Sequence, residues 1–123
     1  MGKFLIKETA TGVKFDLKAS NGQVIGTSEV YSSKSACKNG IASVQKNAPD
    51  APVEDQTSEG YETKKNPKFE LYTDKAGEFR FRLNASNGEN ILSSGEGYTT
   101  KAAAENGIES VKKNAADSDI VEE

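Results

Sequence analysis

The chain has 123 residues, 28% of them charged and 34% apolar, with 16 basic against 19 acidic side chains and a net charge of −3. It fits one globular domain, and since a half of roughly 60 residues would bury only about 60% of its unfolded surface, two halves sharing one core are expected. With no histidine and one cysteine, Ser-His and Cys-His pairs, Cys/His zinc sites and an internal disulfide are excluded, and no apolar run approaches the roughly 18 residues of a membrane helix.

The N-terminal stretch MGKFLIKE lacks the basic and apolar regions of a secretory signal. Ile6 also stands where a myristoylation motif needs Ser or Thr. A cytoplasmic location is the expectation, in keeping with one unpaired cysteine. Phe4 and Ile6 then alternate with Lys3, Leu5 and Lys7, and Val13, Phe15, Leu17 and Ala19 alternate with Lys14, Asp16 and Lys18. A period of two predicts half-buried strands. Asn21-Gly22 predicts a hairpin of type I′, in which both central residues have positive φ. A third strand is expected over Val24 to Glu29.

Tyr31-Ser32-Ser33 supplies hydroxyls able to cap a helix. Cys37, Gly40, Ile41, Val44 and Ala48 follow at helical spacing and predict one apolar stripe facing the sheet. Asn39-Gly40 falls inside this stripe. A continuous helix is expected, its glycine admitting close approach of another element; the rival reading is a break that binds an anion. Pro49 and Pro52 end the helix. Val53-Glu54-Asp55 allows a short fourth strand, and the polar residues 56–66 form a linker with room for the halves to exchange elements.

The second half repeats the first. A shift of 65 aligns Lys3-Phe4 with Lys68-Phe69, a shift of 66 aligns Asn21-Gly22 with Asn87-Gly88, and a shift of 67 carries Tyr31 to Tyr98. Residues 34–48, KSACKNGIASVQKNA, and residues 101–115, KAAAENGIESVKKNA, are identical at ten of fifteen positions. The two single-residue insertions implied by the drift are expected at turns or at strand positions where a bulge absorbs them. Strands are therefore expected at Phe69 to Leu71, Phe79 to Ala85 and Ile91 to Glu96. A helix capped by Tyr98-Thr99-Thr100 carries Ala104, Gly107, Ile108, Val111 and Ala115 inward, and Ile120-Val121-Glu122-Glu123 is a further short segment. The chain is thus one domain, with repeat 1 at 1–55, a linker at 56–66 and repeat 2 at 67–123.

Residues 1–52 hold seven basic and four acidic side chains, a net of +3, whereas residues 67–123 hold seven and eleven, a net of −4. Opposite signs favour association of the halves, and the acidic second half argues against a general polyanion binder. Cys37, matched by Ala104, reads as a packing atom rather than a reactive thiol. Glu29 and Glu96 occupy matched positions and are the candidate acids or bases, with a structural role favoured. Asn84-Ala85-Ser86 is a glycosylation sequon without a visible export signal. The most suggestive surface is the outer sheet face of repeat 2, where Lys68, Glu70, Tyr72, Arg80, Arg82 and Asn84 alternate away from the core. Arginines beside an aromatic on an open sheet suit single-stranded nucleic acid; cross-strand ion pairs and Arg stacking on Tyr72 are the plainer reading.

Repeat 2's KFELYTDKAGEFRFRLNASNG, followed by GYTTKAAAENGIESVKKNA, resembles the repeat of the YegP-like family, small bacterial and archaeal proteins without an assigned function. The resemblance covers nearly the whole chain. It implies an α+β fold: a tandem β(3)-α-β unit forming a single, mainly antiparallel sheet, two helices on one face, and C-terminal strands exchanged between repeats. Repeat 1 departs from the pattern, with Lys7 where repeat 2 has Tyr72 and Asp16 where it has Arg82. A non-enzymatic binding or interaction module is expected, monomeric with internal pseudo-two-fold symmetry, with no cofactor, metal or membrane. Nucleic-acid binding through Tyr72, Arg80 and Arg82 is the second reading, and a carboxylate-dependent enzyme using Glu29 or Glu96 the third.

Overall fold

The computed structural model describes residues 2–94, 97–116 and 118–122. Eight strands form one mixed sheet. They are β1 (Lys3–Glu8), β2 (Val13–Lys18), β3 (Val24–Thr27), β4 (Val53–Asp55), β5 (Lys68–Thr73), β6 (Phe79–Asn84), β7 (Asn90–Ser93) and β8 (Asp119–Glu122), in the spatial order β4-β5-β6-β7-β3-β2-β1-β8. Two helices, α1 (Lys34–Asn47) and α2 (Lys101–Ala115), complete the α+β architecture.

Period two decides the core. Phe4 faces Leu17 and Ile6 faces Phe15 across β1 and β2, and Phe69 faces Leu83 and Leu71 faces Phe81 across β5 and β6. All eight are at most 1% exposed, and they join Ile41, Val44, Ile108 and Val111 of the helices in one cluster. The helices therefore cover one face of the sheet. Each lies across strands of both halves: α1 touches β2 and β7, while α2 touches β6, β3, β2 and β1. Four fully buried phenylalanines at roughly 1.5–3 kcal/mol each make this shared core the main stabilising term.

Both helices run unbroken through their Asn-Gly pairs. Ser33 Oγ accepts from the Ala36 N–H and Thr100 Oγ1 from the Ala103 N–H, each at 3.1 Å, so the expected hydroxyl caps form. The backbone of Tyr31 bonds to Val13 and that of Tyr98 to Phe79, each prolonging the meander. This places the Tyr31 ring against Gly40 and the Tyr98 ring against Gly107, where a Cβ would lie 2.7 Å from Tyr31 Cζ or 2.7 Å from Tyr98 Oη. The glycines exist because a tyrosine occupies their side-chain space.

Two expectations are corrected in detail. The Asn-Gly hairpins are not type I′: Gly22 and Gly88 have φ of 84° and 87°, but no non-glycine residue among those described has positive φ. Gly22 N–H bonds the Ala19 carbonyl and Ala19 N–H bonds the Gln23 carbonyl, a three-residue loop in which only the last residue needs the left-handed region. The third strands are shorter than expected, ending at Thr27 and Ser93; Glu96, in the expected strand end, lies outside the described residues. The first insertion falls in a turn, as expected: residues 74–78 join β5 to β6 where the four residues 9–12 join β1 to β2, while register shifts at Leu17/Lys18 and at the equivalent Leu83/Asn84 belong to both halves.

The two parallel pairings sit at the sheet's edges, β4 on β5 and β8 on β1. Each is pinned by an ion pair to a helix start: Lys101 to Asp55, and Lys34 to Glu122 at 2.8 Å. In the middle, β3 meets β7 at Thr27 and Ser93. There Gly26 makes room for Leu92, whose Cδ atoms would lie 2.9 Å from an added Cβ.

Candidate functional site

The helix-free face of the sheet carries the side chains that alternate away from the core. One row across it reads Glu54, Glu70, Arg82, Ser93, Thr27, Asp16, Leu5 and Val121, from β4 to β8. Its two ends differ in chemistry.

On the repeat 2 half, β5 and β6 place all six expected residues together: Tyr72 opposite Arg80, Glu70 opposite Arg82, and Lys68 opposite Asn84. They are not equally available. Lys68 and Asn84 are 7% and 9% exposed, which removes them from a contact surface. For Lys68 the cause is β4 and the segment after it. Glu54, 2% exposed, accepts from Lys68 Nζ at 2.7 Å, from the Lys64 N–H at 2.7 Å and from Gln56 Nε2 at 2.5 Å. Residues 56–66 are therefore partly a cover for β4 as well as a link. The hydrogen bond from Lys68 outweighs the opposing effect of burial and holds the Glu54 carboxyl at about 2, with Gln56 and the Lys64 N–H contributing. Burial of Asn84 also closes the sequon to modification.

The arginines are committed too. Arg82 Nε donates to Glu70 and its guanidinium lies 4.5 Å from the Tyr72 ring centroid. Arg80 Nε donates to Asp74 at 2.7 Å. Glu70 also pairs with Lys68 at 3.3 Å; burial works against its ionisation, but Arg82 and Lys68 keep its pKa below the usual value. Three cations, Lys68, Arg80 and Arg82, meet three carboxylates, Glu54, Glu70 and Asp74, and this half neutralises itself.

The repeat 1 half is different. β1 and β2 set Lys3 directly opposite Lys18 and Lys7 directly opposite Lys14. Asp16, 5% exposed, lies between the pairs, accepts from Thr27 Oγ1 at 2.8 Å, and pairs with Lys7 at 3.2 Å and Lys14 at 3.1 Å. Burial opposes its ionisation, yet Thr27, Lys14 and Lys7 hold its pKa below the ordinary value. Lys3 and Lys18 form no ion pair among the described residues. These juxtapositions were present as alternation in KFLIKE and VKFDLK, but which lysine faces which depends on the register.

The remaining candidates are dispersed. Glu29 is exposed, and its partner Glu96 is outside the described residues. Cys37 is fully buried, and burial pushes its thiol pKa up, against a reactive role. Among the described residues, no group of three or more carboxylate or thiol side chains is placed to hold a metal ion, and no helix is long and apolar enough to cross a membrane.

A family model described as a domain of unknown function (DUF1508) matches the chain twice, at residues 9–55 and 74–122. The UPF0339 protein YegP of Yersinia pestis is 44% identical over 115 residues, covering 93% of this chain and 88% of that protein. A UPF0339 protein of Agrobacterium fabrum is 60% identical over 55 residues, which span 45% of this chain but 87% of the relative. Among solved structures, the solution NMR structure of the protein of unknown function yegP from E. coli is similar, with a TM-score of 0.80 and 34% identity over 98% of this chain and 91% of that one.

Proposed function

The chain belongs to the DUF1508, YegP-like family, and on that premise we propose that it is a non-enzymatic binding module whose contact surface is the outer face of the sheet. One observation carries this reading. The two repeats agree where they build the core, the caps and the helix glycines, but disagree on the outer face. There Leu5, Lys7, Asp16 and Lys18 stand where repeat 2 has Glu70, Tyr72, Arg82 and Asn84. Packing explains sameness; recognition is a reason for difference. The finer architecture belongs to the same proposal: a tandem β(3)-α-β unit, monomeric in the cytoplasm, with β4 and β8 as strands exchanged between repeats. The edge pairings of β4 with β5 and β8 with β1 support it. Amide chemical-shift mapping of the isotope-labelled chain against nucleotides, peptides and oligonucleotides tests it. Shifts confined to the helices α1 and α2 would refute the outer-face assignment.

A second reading, single-stranded nucleic-acid binding, is favoured by the Arg82 guanidinium held over Tyr72. It is opposed by the carboxylates that already occupy Arg80 and Arg82. Titration with an oligonucleotide at low and high salt decides it, since phosphate contacts release bound counterions and so make affinity fall as salt rises.

A further inference from the structure

The repeat 1 half of the outer face carries a pattern that folding alone does not explain. Like charges directly opposite each other on a sheet are destabilising, yet Lys3 faces Lys18 and Lys7 faces Lys14. One buried carboxylate, Asp16, serves the second pair; the first pair has none among the described residues. Asp119 of β8 stands beside Lys3 in register, and the two form no ion pair among the described residues. Among the described residues, four lysines against Asp16 and Asp119 leave this half at +2, while Lys68, Arg80 and Arg82 against Glu54, Glu70 and Asp74 sum to zero in repeat 2. Between the two lysine rows lie Leu5 and, next to it, Val121, 39% exposed. The equivalent positions in repeat 2 are Glu70 and Glu54. No aromatic side chain stands among these positions, so the surface lacks the stacking platform that single-stranded nucleic acid uses.

We infer that this face binds an extended acidic segment of a protein partner, one with the pattern acidic-x-apolar-x-acidic. This rests on the outer face being the contact surface. The pattern follows from strand geometry: Lys3, Leu5 and Lys7 share one side of β1 at positions i, i+2 and i+4, roughly 13 Å from end to end at about 3.3 Å per residue. An extended chain laid along β1 and β2 repeats the same spacing. Its outer carboxylates meet the Lys3–Lys18 and Lys7–Lys14 pairs, and its central apolar side chain covers Leu5 and Val121. Charge complementarity selects the partner, and the apolar centre sets its register.

The test uses the full-length, isotope-labelled chain and a synthetic peptide of about nine residues centred on Glu-Thr-Leu-Thr-Glu, at about 20 mM salt where exposed charges are least screened. The control peptide has the same composition permuted to Glu-Thr-Glu-Thr-Leu; an oligothymidine is the third probe. The expected result is amide shifts at Lys3, Leu5, Lys7, Lys14 and Lys18, with weaker binding of the permuted peptide. Lys18→Glu is expected to weaken binding on the order of tenfold while leaving folding intact, because Lys18 forms no ion pair among the described residues and the change turns a like-charged cross-strand pair into an opposite one. Failure of the first peptide to shift these amides overturns the inference. Tighter binding of the oligothymidine to the same lysines overturns the partner class. Shifts at Tyr72, Arg80 and Arg82 instead overturn the location but leave the outer-face reading standing, whereas shifts confined to α1 and α2 overturn both.

Discussion

Gly40→Ala separates helix propensity from packing by the sign of its effect. In a solvent-exposed helix interior, alanine in place of glycine stabilises by about 0.8–1.0 kcal/mol. Here the new Cβ would overlap the Tyr31 hydroxyl and lie 2.7 Å from Cζ and 3.2 Å from Cε2 of the same ring. The ring cannot retreat easily, because it stacks at 6.3 Å and 10° on Phe15, which is 0% exposed. Overpacking of this kind costs about 1–3 kcal/mol, so the net effect is a destabilisation of up to about 2 kcal/mol. Equilibrium urea unfolding followed by far-UV circular dichroism measures it. Tyr31→Phe removes the overlapping oxygen, so adding Gly40→Ala in that background should cost less, with a coupling of about 0.5 kcal/mol or more in a double-mutant cycle. If Gly40→Ala in the otherwise native chain raised stability by the full propensity value, the close-packing explanation would be wrong.

Glu54→Gln should destabilise by about 3 kcal/mol, because it leaves the 9%-exposed Lys68 side chain without its closest carboxylate; chemical denaturation at neutral pH measures this. Because the folded-state pKa of Glu54, about 2, lies below its ordinary value of 4.5, its contribution is present above pH 4.5 and declines as pH falls towards 2. The difference in melting temperature between the native chain and Glu54→Gln should therefore narrow over that interval; a constant difference would contradict the linkage. Gly26→Leu should destabilise through collision with Leu92, and Gly26→Leu combined with Leu92→Gly should recover part of the loss; no recovery in thermal melting would mean the pair is not complementary. Truncation before Ser118 removes β8 and its Lys34 ion pair, and a single melting transition shifted several degrees lower is expected. An unaltered transition would make β8 a loose tail.

Much of the fold is legible in the residues themselves. Phe4, Ile6, Phe15 and Leu17, with their copies Phe69, Leu71, Phe81 and Leu83, specify half-buried strands because alternation is a local property of the chain. The apolar stripe from Cys37 to Ala48 specifies a helix for the same reason. The candidate face was legible only as a list of outward positions. Lys68 looks as free in the sequence as Arg80 and Arg82, and becomes buried against Glu54 because β4 and residues 56–66 arrive from elsewhere in the chain. Asn21-Gly22 promises a tight turn, but the pairing of Ala19 with Gln23 decides which turn.

Alternation along one strand determines which side chains share a face, and duplication determines that the chain builds its unit twice. Register across strands decides which of those side chains meet, and it depends on loop geometry and on the partner strand. The lysine pairs of repeat 1 and the neutralised arginines of repeat 2 follow from that register. Two similar sequences thereby present a charged face at one end of the sheet and a satisfied one at the other.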